Sequence, residues 1–162
     1  MRYDGTGKHA LELVTVLKQR FELRGFCPEV AIGLGVPRET IELIASDGGD
    51  IRCVGTVTEA LDVSERLRAS VERQQTRFAD LSGYLVKARS PSCGLHSTPL
   101  YRAGPPGQRA PIGYSSGLFT ATLQKHFPQL PIAQEDTLAN PWALADFMAQ
   151  AQRYYHERIE RC

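Results

Sequence analysis

The chain has 162 residues, 42% hydrophobic and 23% charged, and its 19 Lys and Arg against 18 Asp and Glu leave a formal charge of +1. That balance excludes a wholly basic nucleic-acid binder and an acidic tail. A chain of this length buries roughly two-thirds of its unfolded surface, so neither disulfides nor a metal are needed merely to fold it.

At the N-terminus, Met1-Arg2-Tyr3-Asp4-Gly5 leads into no apolar segment of a signal peptide. No apolar run approaches the roughly 20 residues of a bilayer span. The expected setting is the cytoplasm with no membrane partner, and the expected organisation is one domain over residues 1–162. Leu11, Val14, Leu17 and Phe21 recur at helical spacing and predict a first helix over residues 8–21. Residues 22–26 read as a strand that turns into a short helix at Cys27-Pro28-Glu29-Val30. There Pro28 fits the first helical position and Glu29 suits a positive helix terminus. Thr40–Ile44 and Ile51–Val54 predict a hairpin turning at Gly48-Gly49. Val63, Leu67, Val71 and Phe78 predict one long helix from Asp62 to Leu81. Tyr84–Ala88 reads as a strand reached by a parallel crossover. The Gly- and Pro-dense stretch from Arg102 to Gly113 reads as a loop. Ser115 or Ser116 is placed to cap a helix over residues 117–127, and Pro131–Ala133 reads as a short strand. Asn140-Pro141 opens a final helix to residue 161, with an apolar stripe of Leu144, Phe147, Met148, Ala151, Tyr155 and Ile159. The expected fold class is α/β: a Rossmann-like three-layer fold with a mainly parallel sheet and helices on both faces. Sites in such folds lie at the carboxyl ends of strands.

Cysteines occur at 27, 53, 93 and 162, without the spacing of a disulfide framework or a zinc ribbon. Cys27 and Cys93 each stand at a predicted strand-to-loop boundary, and a cysteine at a helix N-terminus has its thiolate favoured. The plainer alternative is that both are small buried hydrophobes. Among His9, His96, His126 and His156, only His96 lies near a cysteine, and it reads as a polar loop residue. Trp142, Tyr154 and Tyr155 on the last helix read as packing residues.

Three blocks stand in a telling order: Arg2-Tyr3-Asp4-Gly5; Cys27-Pro28-Glu29-Val30 with Gly33-Leu34 and Val36-Pro37-Arg38; and Lys87-Ala88-Arg89-Ser90-Pro91-Ser92-Cys93-Gly94. Over residues 2–135 the chain resembles the bacterial thiouracil desulfidase family. The resemblance implies an enzyme that removes sulfur from thiolated pyrimidines, free as nucleobase or nucleotide or carried in tRNA. It also implies a [4Fe–4S] cluster held by three cysteines, whose fourth iron is open to the substrate sulfur. Cys27 and Cys93 match two of the ligands, and Ser90 matches a serine of the active site. Glu29 or Glu22 would be the proton shuttle, with Glu29 preferred because it adjoins a ligand. Lys87 and Arg89 flank the serine and suit an anionic group on the substrate, although a salt-bridge role suits Arg89 equally. Arg2 and Asp4 belong to the opening motif and either shape the pocket or pair with each other. Ser115, Ser116 and Gly117 are placed to offer backbone donors to a phosphate, a pattern that ordinary helix caps share.

Family members carry their first cysteine just upstream of the Arg-Tyr-Asp-Gly motif, where this chain has only Met1. Cys53 reads as packed within a strand and Cys162 is terminal, so neither is a natural substitute. Two thiolates hold an exposed cluster poorly. A second reading is therefore a cluster-free nucleobase- or nucleotide-binding protein, and a third pairs Cys27 with Cys93 as zinc ligands or a redox couple. A monomer and a homodimer are both compatible with the sequence.

Overall fold

The computed structural model describes residues 11–58 and 60–160. In chain order it has α1 (Leu11–Lys18), the one-turn α2 (Pro28–Ala31), β1 (Ile41–Ala45), β2 (Ile51–Gly55), α3 (Ser64–Arg73) and α4 (Gln75–Ala79). These are followed by β3 (Tyr84–Val86), β4 (Thr98–Arg102), β5 (Pro111–Ser115), α5 (Leu118–His126), β6 (Ile132–Gln134), a 3-10 turn (Thr137–Ala139) and α6 (Pro141–Glu160). Among the described residues no helix is long and apolar enough to cross a membrane.

Helices and strands are mixed as expected, but the main sheet is not mainly parallel. Its four strands run β2-β1-β4-β5, with β1 parallel to β4 and both outer pairs antiparallel. The predicted hairpin is β1–β2, and it sets Leu43 opposite Cys53. The predicted strand at Tyr84 does not join an earlier strand. It pairs in parallel with β6 in a separate two-stranded sheet, Leu85 facing Ala133.

Four local expectations are corrected. Residues 22–26 form no strand; the segment is held by the Phe26 ring packing inward and by Arg77 donating to the Gly25 carbonyl. The long helix breaks at Gln74, whose amide bonds the Val71 carbonyl three residues back, and α4 resumes at once. The stretch from Arg102 to Gly113 contains strand at both ends, because β4 ends at Arg102 and β5 begins at Pro111. Pro111 is tolerated there because β5 is an edge strand. Finally, α5 is capped by Gly117 with no side-chain bond, and not by Ser115 or Ser116.

Leu43, Cys53, Val63, Leu67, Val71, Phe78, Phe119 and Leu123 form the buried centre. Phe26, Phe78, Tyr84 and Phe119 make a ring cluster within it, with Phe26 edge-on to Phe78 at 5.4 Å and 5.6 Å from Phe119. Burial pushes the Cys53 thiol up, and its place opposite Leu43 makes it a packing residue. Asn140 Oδ1 accepts from the Trp142 amide and starts α6. Phe147 and Ala151 of that helix seat on Gly83, where an added Cβ would lie 3.1 Å and 3.3 Å from them. The outer end of the predicted stripe, Tyr155 and Ile159, stays exposed while Tyr154 packs on the core.

Replacing Phe119 by Ala should cost about 3–5 kcal/mol, because a large ring leaves a cavity in a close-packed cluster. Trp142→Ala, at an 85% exposed position, should change stability by no more than about 0.5 kcal/mol. Equilibrium unfolding in urea checks both.

Candidate metal centre

Cys27 precedes α2 at its N-cap in extended conformation, and Pro28 takes the first helical position because that residue needs no amide partner. The Ala31 amide donates to the Cys27 carbonyl and closes the turn. Phe26, one residue before, is pinned in the ring cluster, so the cysteine is fixed relative to the core. After α2 the chain reverses through Gly33 and Gly35, both with positive φ, and brings Arg38 back to Cys27 and Glu29.

The second cysteine loop is fastened by the start of α5. Leu118 N donates to Pro91 O, Phe119 N and Thr120 N donate to Ser92 O, and Gly117 N donates to Gly94 O. Thr120 Oγ1 donates to the Cys93 carbonyl at 2.7 Å. The free amides of a helix N-terminus, which otherwise seek an anion or a cap, are thus spent on the loop's carbonyls. Contact is close enough to require glycine: a Cβ at Gly117 would sit 2.5 Å from Cys93 N and 2.6 Å from Ser92 O.

A buried polar network joins the two loops. Ser92 Oγ donates to Glu29 Oε1 at 2.6 Å, and Arg38 Nε donates to Glu29 Oε2 at 2.6 Å. Arg38 Nη2 reaches Cys27 Sγ at 3.8 Å, and Ser92 Oγ lies 3.5 Å from Cys93 Sγ. Ser90 Oγ accepts from the Cys93 amide and lies 3.0 Å from Ser92 Oγ. Ser92 has one proton and gives it to Glu29, so it accepts from Ser90. Burial pushes the Cys93 thiol up to about 12; Glu29 and Cys27 add to this and the two serine hydroxyls oppose it. Tyr84, beneath both loops, is pushed up by burial first and then by both sulfurs.

Cys27, Glu29, Ser90 and Cys93, singled out in the sequence, are therefore joined in one network. Glu22 is elsewhere, paired with Arg24 at 2.8 Å on an exposed segment. Lys87 pairs with Glu135, whose other oxygen accepts from the Ala88 amide at 2.6 Å. Arg89 is exposed with φ 59° and lies 3.9 Å from Asp136. Ser116 Oγ accepts from the His96 amide at 3.1 Å and meets His96 Nδ1 at 3.1 Å. Gly117 does not offer its amide to a phosphate, because Gly94 O already takes it. Arg2, Asp4, His9 and Cys162 lie outside the described residues. Arg38 and Ser92 stand within the sequence motifs with no role that the sequence alone assigns; an arginine returning after two glycines is the available signal for the first.

Beside the Cys93 loop an open groove of about 520 Å³ is lined by His96, Tyr114, Ser116, Gln124 and Lys125, among others. His96 holds φ 56°, a conformation uncommon for a residue with a side chain. The donor chemistry suits iron and sulfide: two soft sulfurs, one of them facing an N–H donor. Among the described residues no three His, Cys, Asp or Glu side chains group as a full metal-ligand set. Cys27 and Cys93 are the two sulfurs that this network brings to one site.

The sequence profile of the 2-thiouracil desulfurase family matches residues 1–135. No curated protein matches the chain. Among solved structures, the chain is similar to the [4Fe-4S]-dependent thiouracil desulfidase TudS, with 27% identity and a TM-score of 0.57 over 89% of this chain and 87% of that one. A match spanning well over half the chain, together with the Cys27, Ser90 and Cys93 loops that the fold joins, places this chain in the 2-thiouracil desulfurase family.

Proposed function

We propose that the chain is a [4Fe–4S]-dependent desulfidase that replaces the sulfur of a thiolated pyrimidine by oxygen. The observation that supports this reading most is the continuous path Cys27–Arg38–Glu29–Ser92–Cys93, which ties two sulfurs to one carboxylate. Cys27 and Cys93 would hold the cluster. When bound, the cluster supplies a thiophilic Lewis acid for the substrate's thiocarbonyl sulfur.

The chain's own part is positioning and proton transfer. Ser92 is fully buried, whereas Ser90 is half-buried and forms the outer end of the hydroxyl pair. A water beside Ser90 can pass a proton to Ser90 as Ser90 passes its own to Ser92 and Ser92 passes its own to Glu29. The hydroxide oxygen bonds to the ring carbon, Glu29 returns its proton to the sulfur, and the carbon–sulfur bond breaks as the new hydroxyl gives up its proton to the departing hydrosulfide. The balance is thiocarbonyl plus water giving carbonyl plus hydrogen sulfide. Glu29 is the base of this proposal, and Glu22, in its surface pair, has no part in it. The groove at His96, Ser116 and Lys125 is the proposed seat of the rest of the substrate.

A second reading, a nucleobase-binding protein without a cluster, is favoured by one observation: the described residues supply two sulfurs and no third ligand. Anaerobic treatment with iron and sulfide separates the two. The desulfidase reading expects a brown protein that releases sulfide from thiouracil, and a colourless protein that binds uracil would establish the second reading.

Cys93→Ser should remove both cluster and sulfide release, and turnover retained by that variant would take Cys93 out of the mechanism. Glu29→Gln should keep bound iron and lower the rate by about 10²–10⁴, the usual scale for a lost acid–base group; an unchanged rate would dismiss Glu29 as the base. Gly117→Ala should force the Cys93 loop off α5 and lower iron content about tenfold or more, in line with other residues that support ligands. Iron analysis of the purified variant decides that case.

A further inference from the structure

Arg38 has little reason to be buried for the sake of folding alone. Its side chain is 4% exposed, and a buried guanidinium is costly unless its donors are matched. Three of its nitrogens are engaged. Nη1 donates to Gly35 O at 2.9 Å, which anchors the group to its own loop. Nε donates to Glu29 Oε2 at 2.6 Å, and Nη2 points to Cys27 Sγ at 3.8 Å.

Nε and Nη2 form the edge of the guanidinium that ordinarily grips a single carboxylate with two parallel bonds. Here that edge is divided, one donor on the carboxylate and one on the sulfur. A rigid planar fork therefore sets the separation of Glu29 from Cys27. Lysine, with one ammonium on a flexible stem, has no equivalent geometry. Glu29's other oxygen is held by Ser92, so Arg38 fixes the face of the carboxylate that Ser92 does not.

We infer that Arg38 is a positioning residue that orients Glu29 for proton transfer and donates an N–H hydrogen bond to the Cys27 sulfur. Its consequence for catalysis rests on the desulfidase reading above. A hydrogen bond and a positive charge next to a ligand sulfur make an iron–sulfur cluster easier to reduce. Removing them should shift the potential to more negative values. Freeing Glu29 should lower kcat with KM unchanged, because Arg38 has no contact with the groove that would seat the substrate.

The test compares the parent chain with Arg38→Lys and Arg38→Met after anaerobic reconstitution. Arg38→Lys should keep most of its iron and sulfide, show a more negative cluster potential, and lose ten- to a hundredfold in kcat, the range found for residues that orient ligands. Arg38→Met should show the same changes to a greater degree; should it fail to fold, Arg38→Lys alone decides. A lysine variant with the parent's potential and kcat would overturn the inference. A second measurement needs no cluster: in the metal-free chain, the Arg38 Nε–H should give a slowly exchanging ¹⁵N resonance that shifts in Cys27→Ala and is lost in Glu29→Gln. A parent chain that takes up no cluster defeats the desulfidase reading but leaves this measurement standing. Absence of the protected resonance, or its indifference to both substitutions, would sink the clamp itself.

Discussion

The site depends on the seam between the first turn of α5 and the loop carrying Cys93. A helix N-terminus has amides with no partner in the helix, and a tight loop has carbonyls with no partner in the loop. Here each satisfies the other: Gly117, Leu118, Phe119 and Thr120 donate to carbonyls at positions 91, 92 and 94, and the Thr120 hydroxyl takes the carbonyl of Cys93 itself. The positive end of the helix dipole therefore faces the segment bearing Cys93. Because the contact is backbone to backbone except at the Thr120 hydroxyl, most residues of the first turn of α5 are constrained by shape more than by chemistry, and Gly117 is the position where that constraint is tightest.

The seam carries the core's rigidity into the site. Phe119, one of the residues whose amide holds the loop, is also a member of the ring cluster. Phe26, which precedes Cys27, packs against the same ring at 5.6 Å. A single aromatic cluster thus stands beneath both cysteine segments, and the sulfurs inherit their relative position from close-packed rings. Close packing admits little adjustment, so ring substitutions that leave the loops untouched should still disturb the two sulfurs.

How much of this was legible depended on whether the signal was local. The inner part of the stripe along α6, the Pro28 start of α2 and the hairpin around Gly48-Gly49 are set by neighbours in sequence, and local signals expose them. The β4–β5 hairpin was hidden because Pro111 and Gly113 imitate a loop, and the edge position of β5 makes Pro111 acceptable in a strand. The break at Gln74 has no Gly or Pro to announce it. The partnership of Ser92 with Glu29 spans 63 positions, and the hydroxyl that completes it looks in sequence like one more serine in a turn. Glu29 itself was legible beside Glu22 as one of two candidates; what separates them is that the fold pairs Glu22 with Arg24 at the surface and turns Glu29 inward.

The two sulfurs are held by different physics, and the difference has consequences. Cys93 lies between residues whose carbonyls take the amides of α5, and its own amide and carbonyl are tied to the Ser90 and Thr120 hydroxyls. Cys27 follows a half-buried phenylalanine and leans on one side chain, the guanidinium of Arg38, carried by a loop that needs positive φ at Gly33 and Gly35. The Arg38 clamp is shared with Glu29, so it ties the surroundings of Cys27 to the neighbouring acid. Coupling one sulfur to the acid and anchoring the other loop to the helix leaves the Glu29 carboxylate as the element through which both loops communicate, since Glu29 accepts from Ser92 on one oxygen and from Arg38 on the other. Any change in the Glu29 charge must therefore be felt at both sulfurs, through two hydrogen bonds of 2.6 Å whose donors each have a sulfur as their next neighbour.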